Sequence, residues 1–319
     1  MVIWNGNIAK LSLPTPFAVG DVNVYLLKGD ALTLIDTGAK TEQSREVLEG
    51  QLKELGLSIK DIEQVVLTHH HPDHAGGLDL FDQAVPVYGH KNIIRWLEGG
   101  EDFLHYHNEF FMSYAGEFGV GDEWKRKLLH PPGENPLLCE RKLDGVLSGG
   151  DELPGHPDFI VTETLGHAQS HISFFRERDG VMIGGDHLLD KISPNPVMEP
   201  PILRGGERPR PLLQYNASLK GWKKMPISMV YTGHGREVTE INRHISSQME
   251  RQHARAMLVK GFLEKPRTGF EICQFLFPKV YQKELGLTLS ETIGQLDYLE
   301  DLGLVKKELQ DEIALFSAV

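Results

Sequence analysis

The sequence predicts an α/β protein over residues 1–240 followed by a small, mainly helical unit over residues 241–319. Three observations carry that expectation. Short apolar runs alternate with helical stretches through the first unit, the pattern of sheets covered by helices. Those runs stop repeatedly at glycine, histidine and aspartate, around residues 36, 69, 167, 186 and 234. Beyond residue 240 the strand pattern gives way to long polar helical sequence.

Residues 8–13, 22–27 and 31–35 alternate in strand fashion and are separated by glycine and aspartate, a hairpin signal. The third run ends in Asp36, an acid at the end of an apolar strand, where a carboxylate needs a partner. A helix is expected over 41–55. The run 62–67 reads as a buried strand, and it delivers His69-His70-His71-Pro72-Asp73-His74. Four imidazoles and a carboxylate within six residues are costly to hold together unless something positive binds them, and a divalent metal is the natural partner. On extended backbone His69 and His71 share one face and His70 takes the other. Pro72 stops the strand, and a helix over 73–81 presents Asp73 and His74 as a second pair of donors.

A strand over 85–90 and a helix over 92–98 follow. Residues 101–130 are aromatic-rich, with Phe103, Tyr106, Phe110 and Tyr114 at helical spacing. They suit a core-facing helix, or else a lid, within an insertion over 90–135, that shapes an apolar pocket. His105 and His107 diverge on a helix and are left out of the site. Residues 131–136 read as loop. The strand 159–164 runs into Gly166-His167, and a histidine after a glycine at a strand end is free to turn inward, so His167 is a third nitrogen for the first pair. His171 opens the strand 172–175, where a structural role is expected. The hairpin 174–183 leads to Gly184-Gly185-Asp186-His187. Those glycines permit close backbone approach, and Asp186 can lie between two cations with one oxygen on each. His187 points away by alternation. Arg204, Arg208 and Arg210 sit in a loop that is either solvated or clamps an anionic group. After a helix over 212–223 and a strand over 227–231, the glycine-flanked His234 completes the second set.

In the tail a helical stretch over 237–262 precedes helical segments at 270–277 and 290–302 and short strands at 304–307 and 313–316. This arrangement resembles a winged-helix unit. Its last helix carries Glu291, Asp297, Glu300 and Asp301 without lysine or arginine, so it would repel phosphates and no DNA partner is expected. Packing against the first unit or a partner subunit, as in a homo-oligomer, is the better account.

The 319 residues suit one large domain plus a small one, with 40% hydrophobic and 24% charged residues. No apolar run approaches the roughly eighteen residues needed to span a bilayer, and the first residues lack a secretory pattern, so a cytoplasmic protein without membrane contact is expected. Cys139 and Cys273 lie far apart and are expected to be buried free thiols. The net charge of −12 works against a large nucleic-acid footprint, but leaves room for a small anionic substrate drawn to a local metal charge.

The unbroken pattern His-x-His-x-Asp-His at 69–74, with the later strand ends, resembles the metallo-β-lactamase superfamily over residues 1–240. The resemblance implies a four-layer αβ/βα sandwich with metals at one edge of the two sheets. It implies one metal on His69, His71 and His167, a second on Asp73, His74 and His234, and Asp186 bridging, with Asp36 supporting the site from behind. Ala168 stands where the family usually has a hydroxyl residue, a departure that touches support more than ligation. A nitrogen-rich, thiolate-free set suits two Zn2+, with iron or manganese as alternatives. Zinc lowers the pKa of bound water from about 15.7 to about 7, so the resemblance implies hydrolysis by a bridging hydroxide that Asp73 orients. Glyoxalase II-like enzymes share this ligand set, and the expected substrate is an ester or thioester of a small molecule. A single-strand endoribonuclease, with RNA as partner, is the alternative, because small β-lactamase-like endoribonucleases have a similar layout. A non-catalytic metal-binding or sensory protein is the least favoured reading.

Overall fold

A computed structural model describes residues 2–129, 139 and 141–319, so the loop expected over 131–136 lies outside the described residues. The chain opens with strands β1 (Trp4–Asn5), β2 (Ile8–Leu13), β3 (Val22–Lys28) and β4 (Leu32–Ile35), then helix α1 (Glu42–Glu54), β5 (Gln64–Val66) and the single turn α2 (Pro72–Ala75). After β6 (Val87–His90) come α3 (Ile94–Leu97), α4 (Gly100–Glu117), α5 (Asp122–Lys125) and β7 (Gly145–Leu147). These seven strands form one sheet in sequential order, antiparallel from β1 to β4 and parallel from β4 to β7. A second sheet has the order β12-β11-β10-β9-β8, built from β8 (Glu152–Leu153), β9 (His156–Glu163), β10 (Ile172–Arg176), β11 (Val181–Gly185) and β12 (Met229–Thr232), with α6 (Pro211–Trp222) connecting the last two.

The period of two sorts side chains onto two sides of each sheet. In β3, Val22, Val24 and Leu26 pack toward Leu48 and Leu52 of α1, while Tyr25 and Leu27 pack between the sheets. The inter-sheet core also takes Val66, Phe159, Ile172, Phe174 and Ile183. On the outer face of the second sheet, Phe175, Met182 and Val230 meet Leu212, Tyr215, Leu219 and Trp222 of α6. Helix, sheet, sheet, helix is thus the layering, as expected. α1 starts where Thr41 accepts a hydrogen bond from Ser44 N–H.

The tail contains α7 (Ile241–Phe262), β13 (Arg267–Thr268), α8 (Gly269–Leu276), α9 (Leu285–Asp301), β14 (Val305–Gln310) and β15 (Ile313–Ala318), with a three-stranded sheet ordered β13-β15-β14. Its core is shared with the aromatic helix: Phe111, Tyr114 and Ala115 of α4, with Phe118, pack among Ile272, Leu289, Ile293, Leu296 and Phe316. The aromatic spacing therefore marks a core-facing helix whose partner is the tail. α9 is buried along most of its length, Glu291 and Asp297 included. Arg208 grips Asp297 through two hydrogen bonds of 2.5 and 2.7 Å, Arg255 holds Glu291 at 2.5 Å, and Arg210 pairs with Glu300 at 3.3 Å. Of the arginine loop, Arg208 thus braces α9, because a buried carboxylate needs a cation more than solvent does, while Arg210 pairs with Glu300 from an exposed position and Arg204 stays exposed, 3.8 Å from Glu109.

Candidate metal centre

β5 ends at Val66, and the backbone beyond it carries the histidine cluster to the edge between the two sheets. His69 Nε2 and His71 Nδ1 face each other at 3.0 Å. Three sets of donor atoms each lie within 4.8 Å: His69 with His71 and His167, His69 with His74 and Asp186, and Asp73 with His74 and His234. Asp186 joins them. Its Oδ2 is 3.5 Å from His167 Nε2 and 3.4 Å from His234 Nε2, and its Oδ1 is 3.4 Å from His74 Nε2. Asp73 Oδ2 reaches His234 Nε2 at 3.2 Å. All seven side chains expected as ligands converge, and Oδ2 of Asp186 faces a histidine of each set while its Oδ1 faces His74.

The outer nitrogens of these rings are already committed. His74 Nδ1 donates to Asp36 Oδ2 at 2.8 Å, His167 Nδ1 to the Asn195 carbonyl at 2.8 Å, and His234 Nδ1 to the Asp21 carbonyl at 2.7 Å. Thr68 Oγ1 gives its one proton to Asp36 Oδ2 at 2.8 Å, so across the 3.0 Å contact it accepts from His69 Nδ1. Each bond leaves the inner Nε2 as a lone pair turned toward the cluster. Nε2 of His74, His167 and His234 and Oδ1 of Asp186 are buried with no hydrogen-bond partner among the described residues. Such orphans are costly unless a cation takes them.

Backbone geometry explains how so tight a group is held. Asp36 has φ 62°, a left-handed conformation for a buried non-glycine residue, and it also accepts from Thr68 N–H at 2.8 Å. A Cβ on Gly233 would stand 2.0 Å from Asp186 Oδ1, so only glycine lets the loop bearing His234 approach that carboxylate. Gly185 has φ 49°, and a Cβ there would meet His171 Nε2 at 2.8 Å. His171 is the structural residue expected: its Nε2 accepts the Asp186 N–H at 3.0 Å while its Nδ1 donates to Thr164 Oγ1 at 2.7 Å.

The charges are divided. Burial, with His74 and His71 nearby, pushes the pKa of His69 well down, and burial does the same to His71. At His74 burial is outweighed by the carboxylates of Asp186, Asp36 and Asp73, which hold its pKa well above the usual imidazole value. At His234, burial is likewise overcome, by Asp186 above all, and the pKa rises to about 10. Neutral donors on one side and carboxylates demanding positive charge on the other are what divalent cations satisfy. The residues fit a metal.

His70 takes the opposite face, as alternation required: its Nδ1 meets Ser170 Oγ at 2.8 Å, and its ring stacks on Trp96 at 4.1 Å. His105 is exposed beside Glu109, and His107 is buried against Phe111, so neither joins the cluster. His187 lies away from it, between the rings of Tyr215 and Trp222 at 5.1 and 4.5 Å. Sequence reasoning missed Thr68, Asp21, Asn195 and Ser170. Thr68 and Ser170 adjoin the motifs and could have been flagged; Asp21 and Asn195 act through backbone carbonyls, which leave no trace in residue type.

Two sheets flanked by helices, with imidazoles and carboxylates gathered at their shared edge, define a metallo-hydrolase. The family model described as the metallo-beta-lactamase superfamily matches residues 18–234, and the chain belongs to that superfamily. It is 41% identical over 295 residues to a probable metallo-hydrolase, YqjP, of Bacillus subtilis, covering 92% of each chain. It is 25% identical over 232 residues to a hydroxyacylglutathione hydrolase of Idiomarina loihiensis, covering 72% of this chain and 67% of that one. Among solved structures, a metallo-beta-lactamase family protein of Thermus thermophilus superposes with a TM-score of 0.77 at 27% identity, covering 98% of this chain and 99% of that one.

Proposed function

We propose that the protein is a two-cation hydrolase of esters or thioesters of small molecules. The observation that supports this reading best is that the outer N–H groups of His69, His74, His167 and His234 are committed while their inner nitrogens converge with two carboxylates. In this reading His69, His71 and His167 hold one cation, Asp73, His74 and His234 hold the other, and Asp186 contacts both. Zinc suits the nitrogen-rich, thiolate-free set, with iron or manganese as alternatives. A divalent cation here supplies Lewis acidity that polarises an acyl oxygen and acidifies water.

The chain's own residues do the rest. Asp73, anchored near His234, would orient the attacking water or hydroxide by accepting a hydrogen bond from it at a carboxylate oxygen. Asp36 and the carbonyls of Asp21 and Asn195 keep the imidazoles aimed and in the right tautomer. Beside His71, the stack of His70 on Trp96, with Phe103 at 4.9 Å from Trp96, offers an apolar wall for the acyl group. The likeness to a hydroxyacylglutathione hydrolase favours a thioester. An RNA substrate draws no support from the tail, whose acidic helix α9 is buried against arginines.

The test is a parallel assay of the metal-loaded protein on S-lactoylglutathione and simple thioesters, and on a fluorescent single-stranded RNA, each with a chelated control. Chelator-sensitive thioester turnover is expected. RNA cleavage that disappears in Asp186→Ala, without thioester turnover, would replace this reading by the endoribonuclease one.

A further inference from the structure

The metal centre leaves unused a second concave site, a cleft of about 350 Å3 between the loop after Asp186 and helices α7 and α9. Its rim carries Lys191, Arg251 and Arg255, and the single acid in its lining is Glu291. Glu291 is occupied by Arg255 at 2.5 Å. Lys191 has no ion-pair partner among the described residues, and Arg251 bonds only the hydroxyl of Ser247, at 2.8 Å. On a chain of net charge −12, a cleft with two uncompensated cations stands out as a local reversal of sign.

Its floor has unmet polar demand. Gln248 and Gln252 are 0% and 4% exposed and line the cleft, yet the carbonyl oxygen of each has no partner, and the same holds for Asn195 Oδ1. Gln252 Nε2 reaches Ser193 Oγ only at 3.5 Å, so its amide can turn to donate or accept. Buried amides left open in this way belong with a polar occupant. We infer that the cleft binds a small anion, a phosphomonoester or a carboxylate, that also carries hydroxyl groups. The cations take the anionic end, and the loosely held amide of Gln252 turns to take a hydroxyl, while Gln248 backs it from beneath through its bond to Ser193 Oγ at 2.9 Å. The site is also wired to the metal centre, because Asn195, one of its lining residues, is the residue whose carbonyl holds His167 Nδ1.

Calorimetric titration of the metal-loaded full chain with glycerol 3-phosphate, malate and uncharged glycerol tests this. One of the two anions is expected to bind once per chain, at least tenfold tighter than glycerol, and which of them does so separates the phosphate source from the carboxylate source. Affinity should drop at least tenfold in Lys191→Glu and again in Arg251→Glu. Both residues are exposed, so thermal unfolding of the free variants should match that of the unaltered chain. Binding should survive removal of metal by a chelator. The proposal is overturned if neither anion binds, or if binding vanishes with the metal and is untouched in Lys191→Glu, which would place the anion on the metal centre. Turnover is not read, so the hydrolase reading stands or falls separately.

Discussion

At the scale of single residues, the site depends as much on what stands behind the imidazoles as on the imidazoles themselves. Asp36 spends both oxygens on Thr68 and His74 while its backbone stays at φ 62°. Asp36→Asn keeps a side chain that tolerates this backbone but removes the charge that holds His74. Metal affinity, measured by competition with a chelating indicator, should fall about 10–100-fold while the fold is retained. The convergence of these side chains was legible in the sequence, because histidine and aspartate gathered at strand ends are costly to hold together without a cation to share. What aims them was less so: Asp36 could be suspected from its place at a strand end, but the carbonyls of Asp21 and Asn195 belong to a backbone that every residue has.

At the scale of elements, the strand ends were legible and the short pieces were not. The strands carrying Asp36, His69, His167, Asp186 and His234 were all expected from apolar runs. β7 and β8, three and two residues long, are too short to show a period. The helix expected over 73–81 is one α-turn, Pro72–Ala75, followed by a 3-10 stretch, Gly76–Leu80. Gly77 explains the close packing there, since a Cβ on it would stand 2.3 Å from the Thr37 carbonyl. The acidic helix α9 packs against the rest of the chain, one of the two partners its charge pattern suggested, but the particular arginine could not be named, because the pairing of Arg208 with Asp297 spans 89 residues. Arg208→Ala would leave Asp297 buried and unpaired, at a cost of about 3 kcal/mol. Urea unfolding should show that loss, with metal content unchanged.

At the scale of the whole molecule, three cores stacked between helix, sheet, sheet and helix hold a polar site at one edge, and a fourth core ties α4 to the tail. The packing encloses several neutral histidines. Burial pushes His70 and His171 well below the usual imidazole value, and His187 down to about 3. The unfolded chain protonates these rings near pH 6.5, whereas the folded chain keeps them neutral, so below about pH 6.5 the unfolded state binds more protons. The stability these three rings contribute should therefore be full above that pH and fall as pH drops toward 3, by up to about 1.4 kcal/mol per pH unit for each ring. It is read on the metal-loaded chain, because the raised pKa values of His74 and His234 act with the opposite sign when no cation holds them. Urea midpoints at pH 7.5 and pH 5 check the sign, and a higher midpoint at pH 5 would contradict it.

The claim on which the rest turns is that the seven convergent side chains hold two cations, joined by Asp186. Metal content per chain, measured by mass spectrometry on the loaded and dialysed protein and on Asp186→Ala, tests it most directly. Two divalent ions per chain, falling to one or none in Asp186→Ala, is the expected result. A single ion in the unaltered protein, or two ions retained in Asp186→Ala, would contradict it.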